Sequence, residues 1–205
     1  MKNDYKKTEL GPMPTEWNLN TINNIAAINK ESLKAETDPE TLINYIDIES
    51  VKNNKISNST RLIFKDAPGR ARRIIRENNI IVSTVRPYLR AFAYVDKMFD
   101  GNICSTGFAV LSTKENASSK FVYQYVLSDA FMNQIRPLMV GSNYPAISSK
   151  DIENFLCPIP LVSRVCISPL FSCSAFCIFS SASSMAKSTV DKISAILCCS
   201  LIIGN

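Results

Sequence analysis

Between residues 42 and 141 the hydrophobic period switches from strand-like to helical, and that change restricts the class of fold open to the chain. Up to residue 113 the apolar runs are short and rich in β-branched and aromatic side chains: LINYIDIESV (42–51), NNIIVSTVRPYLRAFAYVD (78–96) and CSTGFAVLST (104–113). Proline cannot donate to a sheet ladder, so Arg86-Pro87 marks an edge or bend that divides the second run into two strands. Gly107 in the third run is a bulge position. From residue 118 the period becomes helical. In SSKFVYQYVLSDAFMNQIRPLM, Phe121, Tyr125, Phe131, Met132 and Ile135 give faces spaced by three and four residues. Ser118 or Ser119 supplies the cap, a kink is expected near Ser128, and Gly141 ends the segment.

Ser148 or Ser149 caps a last short helix holding Asp151 and Ile152. Near the start, Asn20 or Thr21 caps a helix running to Ile28 with Ile22, Ile25 and Ala26 on one face, and Trp17 anchors the approach to the core. Strands followed by helices favour an α+β fold over a repeating parallel sheet. The expectation is one sheet-rich domain with packed helices; the 205 residues leave room for an appendage.

The composition shifts near residue 162. Seventeen of the eighteen asparagines lie before it, whereas residues 163–205 hold eleven serines, five of the seven cysteines and only four charged side chains. Val165 to Ala186 is uncharged and about long enough to cross a bilayer, but seven serines and Pro169 make it a poor membrane helix. A zinc site is disfavoured because the cysteines form no Cys-x-x-Cys pair and no histidine supplements them. The preferred reading is a tail not selected as the continuation of the preceding domain, as when a frameshift, inversion or truncation joins a foreign reading frame. Such a tail is expected to pack poorly.

The chain has no histidine at all, which removes the usual general base near neutral pH and every Ser-His or Cys-His arrangement. The net charge is +5 and the pI about 8.8. Between Arg61 and Arg90 stand eight basic and two acidic residues, which accounts for the whole excess. Arg70, Arg72, Arg73 and Arg76 in PGRARRIIRENN are candidates for phosphate contacts, and Arg86 and Arg90 flank Pro87-Tyr88 on an expected turn. Arginine's planar fork also fits the major-groove edge of guanine. A merely solvated basic face has the same composition.

Two enzymatic alternatives are weaker. Asn143-Tyr144-Pro145 holds, in scrambled order, three residues of the Asn-Pro-Pro-Tyr site of DNA adenine methylases, but the chain lacks that order and a Gly-rich cofactor turn. Asp47, Glu49 and Lys52 in IDIESVK form a loose nuclease-like trio if Asp47 and Glu49 share a strand face; a solvated strand edge is the simpler reading. No catalytic residue, metal site or cofactor is therefore expected. The N-terminus shows no secretory h-region, which makes the cytoplasm the default compartment.

Taken in order, PMPTEWNLNTINNIA, YIDIESVKNNKI, the NNIIVSTVRPYLRAFAYVD strand pair, CSTGFAVL, FVYQYVLSDAFMNQI and GSNYPAISSKDIENFLCPIPL resemble a target recognition domain of the specificity subunits of type I restriction-modification systems. The resemblance spans residues 12–162, leaving 1–11 as an N-terminal extension and 163–205 as the atypical tail. It implies a non-catalytic reader of double-stranded DNA. Two such domains each bind half of a split target, helices between them dock methyltransferase subunits, and an endonuclease subunit joins the assembly.

On this view Asn143-Tyr144-Pro145 belongs to a loop before the closing helix. Ordering that loop is its first role, with DNA contact by Asn143, Tyr144 and Lys150 as the alternative. Members usually continue past this point with a Glu-Gln turn and a long polar helix, where this chain reads CPIPLVSRVCISPLFSCS. The resemblance thus implies a subunit truncated after one domain, with a second half-specificity subunit as a candidate partner.

Overall fold

The computed structural model describes residues 4–139 and 145–160; Gly141, Asn143, Tyr144 and the tail from 163 onward lie outside them. The chain opens with β1 (Tyr5–Thr8), β2 (Gly11–Pro14), β3 (Asn18–Thr21), α1 (Ile22–Ile25) and β4 (Ala26–Ile28). It continues through β5 (Leu42–Ile46), β6 (Val51–Lys52), β7 (Lys55–Ile56), β8 (Thr60–Ile63), β9 (Ala71–Ile74), β10 (Ile80–Ser83) and β11 (Phe92–Tyr94). The remaining elements are β12 (Ile103–Ser105), β13 (Phe108–Thr113), α2 (Ser119–Val126), α3 (Asp129–Ile135), α4 (Ser149–Glu153) and β14 (Leu156–Ile159).

Two four-stranded sheets organise these pieces. The first, in the order β11-β10-β13-β4, is antiparallel throughout. In the second, β8-β5-β12-β9, β5 and β12 run parallel and the other pairs antiparallel. The first sheet is buried on both faces, which explains why β10 reads as an unbroken apolar run instead of alternating. Ile80, Val82, Phe92 and Leu111 face α2 and α3, where they meet Phe121, Tyr125, Phe131 and Ile135. Ile81, Ala93 and Val110 face the second sheet and meet Ile46, Cys104 and Phe108. A smaller apolar layer of Ile43, Tyr45, Ala71 and Ile103 covers the outer face of the second sheet. The order of layers is therefore helices, sheet, sheet, an α+β arrangement.

Local chemistry sets the element ends. Ser118 and Ser128 accept hydrogen bonds from Phe121 N and Phe131 N, so the expected kink is a full break with a fresh N-cap. Ser148 and Asp151 form a capping box on α4. Trp17 lies edge-on to Phe121 with ring centres 5.7 Å apart, which anchors the N-terminal approach as expected.

Three local expectations are corrected. The helix assigned from Asn20 or Thr21 to Ile28 is a single turn, because Ala26–Ile28 pairs with β13. CSTGFAVLST is two strands in different sheets, and Gly107 sits in the crossing between them. Asp47 and Glu49 do not share a strand face: β5 ends at Ile46, and the Asp47 carboxylate accepts from the backbone N and hydroxyl of Ser50 at 2.8 and 2.7 Å, closing a turn. Among the described residues no helix is long and apolar enough to cross a membrane.

Candidate nucleic-acid interface

The arginines of residues 70–76 lie on and around β9, the edge strand of the second sheet. Its pairing with β12 steps out of register. Cys104 faces Arg73 and Ser105 faces Ala71, so Arg72 is the extra residue of a bulge. The Arg72 guanidinium lies 4.8 Å from the centre of the Phe64 ring, a cation–π contact, and its Nη1 donates to Ala71 O. Arg73 emerges beside the other core. Its Nη1 donates to Ser32 Oγ at 3.1 Å, and its charge partly opposes the burial that pushes the Cys104 thiol up to about 12. Arg76 makes two hydrogen bonds to one Glu31 oxygen at 3.0 and 2.7 Å, and that bonding holds the Glu31 carboxyl below its usual value.

Strand geometry separates these residues. Arg70 and Arg76 stand at opposite ends of the β9 segment, roughly 20 Å apart along an extended backbone. Arg76 lies where Gly101 N donates to Ile75 O, whereas Arg70 O accepts from Thr106 N at the opposite end. From Arg70 a chain of backbone contacts leads sideways. Thr84 N and Oγ1 both donate to Gly107 O, at 2.8 and 2.9 Å. Ile147 N in turn donates to Thr84 O at 2.9 Å, Arg86 N donates to Pro145 O at 2.8 Å, and Val85 bridges Ala146. Exposed Arg70, the Thr106-Gly107 crossing, the β10–β11 connection and residues 145–147 therefore form one continuous rim, with Lys150 three residues beyond on the exposed first turn of α4.

The β10–β11 connection is the most constrained part of this rim. Arg86 and Arg90 both hold left-handed backbone angles, φ 48° and 51°, on either side of a single 3-10 turn over Pro87–Leu89. A side-chain-bearing residue in that region costs about 1–2 kcal/mol, so surrounding contacts must impose it. Pro87 is buried, and Arg90 Nη1 donates to Leu127 O at 3.1 Å while its Nη2 pairs with the Asp129 carboxylate. Arg90 thereby clamps the connection onto the break between α2 and α3. The result is a fixed knuckle that turns Tyr88 and Leu89 outward.

The structure thus brings Arg70, Arg86 and the approach to Lys150 together on the rim, uses Arg90 as the clamp behind it, and sets Arg76 apart in an ion pair. Asn143 and Tyr144 fall outside the described residues, immediately before the rim segment at Pro145. Thr84, Thr106 and Pro145 are rim residues that sequence reasoning misses. Nothing in their local sequence marks them, because their role comes from contacts between strands distant in the chain. Among the described residues no group of three His, Cys, Asp or Glu side chains is placed to hold a metal ion.

Comparison with known proteins fits this architecture to one family. Residues 14–164 match the model of the type I restriction modification DNA specificity domain. The type I restriction enzyme HindI specificity subunit of Haemophilus influenzae is 24% identical over 119 residues, covering 57% of this chain and 26% of that protein. The crystal structure of the HsdS subunit from Thermoanaerobacter tengcongensis superposes with a TM-score of 0.66 at 33% identity, covering 74% of this chain and 39% of that one. A second solved structure, described as the structural basis of complex assembly and conformational transition of the type I R-M system, gives a TM-score of 0.68 at 29% identity over 84% of this chain and 43% of its own. The chain spans well under half the length of each of these relatives. With its three-layer domain and the matched span of sequence, the chain belongs to the family of type I restriction modification DNA specificity domains.

Proposed function

We propose that this domain reads one half of a bipartite sequence in double-stranded DNA for a type I restriction-modification complex, and that it performs no bond chemistry itself. The observation that carries the reading is the rim, where a rigid connection between strands stands beside Arg70, Arg86 and the start of α4, on a domain of the specificity family. Cationic side chains on a pre-shaped edge fit a polyanion whose charges are regularly spaced. Methyltransferase and endonuclease subunits are the expected partners that carry catalysis, a second half-specificity subunit is the expected source of the other half-site, and the cytoplasm is the expected compartment. Arg70, Arg72, Arg73 and Arg86 are assigned to phosphate contacts, and Lys150, Asn143 and Tyr144 are further candidates for contact with the DNA. Arg76 and Arg90 are assigned to supporting roles on account of their carboxylate partners.

The test is binding of the full chain to labelled duplexes by fluorescence anisotropy across a salt series. The affinity should fall as a power of salt concentration. Arg70→Ala combined with Arg86→Asn, where asparagine tolerates the left-handed backbone, should lower the log–log slope by about 0.9 for each phosphate no longer neutralised. Arg76→Ala should leave the slope unchanged. A full chain that binds no duplex at low ionic strength overturns the proposal.

A further inference from the structure

We infer that Tyr88 and Leu89 are the base-contacting tip of the rim, reading sequence through apolar contact in a DNA groove. The inference rests on the DNA-reading function proposed above and names the side chains that give it selectivity. Tyr88 is 49% and Leu89 60% exposed, and they are the only sequence-adjacent pair among the exposed large hydrophobics of the described residues. Two neighbouring apolar side chains held in water forgo the stabilisation that burial supplies elsewhere. Here they are presented by a backbone that cannot fold them away. Leu89 N donates to Arg86 O and Arg90 N to Pro87 O, which closes the turn, while Pro87 is buried beneath it and Arg90 is tied to Leu127 and Asp129.

The position of the pair on the molecule identifies what it touches. The tip directly follows Arg86, whose backbone N donates to Pro145 O in the segment that leads to Lys150, on the same rim as Arg70. Cations at the base of a projecting apolar tip match a duplex, whose phosphates flank a groove that presents thymine methyl groups and base-pair steps. Apolar side chains select among sequences there by contact with the methyl or by entering a deformable step. A tip fixed by hydrogen bonds before binding also avoids the ordering cost of a mobile loop.

The experiment is selection from a library of randomised synthetic duplexes by the full chain, followed by sequencing. The wild-type chain should enrich a defined motif. Tyr88→Ala/Leu89→Ala should keep the salt slope of binding and its unfolding midpoint, since neither side chain is in a core, yet lose preference at one or two positions of that motif by roughly tenfold. Tyr88→Phe/Leu89→Met should restore most of the preference. If the double-alanine chain enriches the same motif as wild type, the tip does not contact bases and the inference falls while the reading function stands. It falls equally if the double-alanine chain keeps its motif but no longer joins methyltransferase subunits, which would make the tip a protein contact. A wild-type chain that binds duplexes with no enriched motif also overturns it, and one that binds none removes the parent reading as well.

Discussion

Arg90 combines an unfavourable backbone angle with two favourable side-chain contacts, and substitution separates these effects. Both Arg90→Ala and Arg90→Gly remove the bonds to Leu127 O and Asp129, but only glycine occupies φ 51° without strain. The alanine variant should therefore be less stable than the glycine variant by about 1 kcal/mol in urea denaturation, and the reverse order would show that the knuckle does not hold its angle. A second residue-scale prediction concerns alkaline pH. Burial raises the Cys104 thiol to about 12, and it pushes the Cys157 thiol and the Tyr125 phenol upward from ordinary values of 9.0 and 10.0. Each folded group keeps a proton that the unfolded chain releases; for Cys104 the contribution is complete below about pH 9 and is lost as pH rises toward about 12. Midpoints of urea unfolding should fall across that window, and Cys104→Ala should flatten the decline; a midpoint that stays level would contradict the assignment.

The helical layer is held by a few directional bonds as well as by its core. Gln134 on α3 donates to Tyr125 Oη and to Leu156 O, both at 3.0 Å, and its Oε1 accepts from Leu156 N at 2.7 Å. One side chain thus replaces a missing strand partner for β14. Gln134→Ala should cost about 1–3 kcal/mol, measured by denaturation, and should raise amide exchange at Leu156 first. Ser128→Ala should cost about 1 kcal/mol through the cap it removes from α3.

These elements also show what the sequence makes legible. The β10–β11 hairpin can be read as two short β-branched and aromatic runs divided at Pro87, and the two helices as apolar residues recurring with the helical period on either side of the Ser128 cap. β9 cannot, since two of its four residues are arginines, which mark no strand face. The expected helix over 20–28 overshoots because Ala26 and Ile28 satisfy a helical face and a strand edge equally well, and only the distant partner β13 decides between them. The same limit applies to the rim: its arginines are visible as charge, but their division into rim, clamp and ion pair depends on Gly107, Asp129 and Glu31, which are far from them in sequence.

At the scale of the molecule, the second sheet carries Arg61, Arg72 and Arg73 on its edge strands, and the first sheet carries the apolar core that fixes their frame. Arg72 and Arg73 project to different sides of β9, so they cannot both lie flat on one straight duplex edge. Arg72→Ala/Arg73→Ala should weaken duplex binding for all sequences alike and reduce the salt slope by about 0.9 for each of the two that meets a phosphate; an unchanged slope removes both from the interface. The pairing of β3 with β14 has a different consequence. β3, which leads into α1, and β14, the last described strand, lie side by side, from Thr21 opposite Leu156 to Asn18 opposite Ile159. Entry and exit share one doorway, about 5 Å wide between neighbouring strands. The fold can accordingly be handled as a cartridge: it slots into a longer polypeptide, or has its ends stitched together and a new opening cut elsewhere, with little disturbance to the layers behind that doorway.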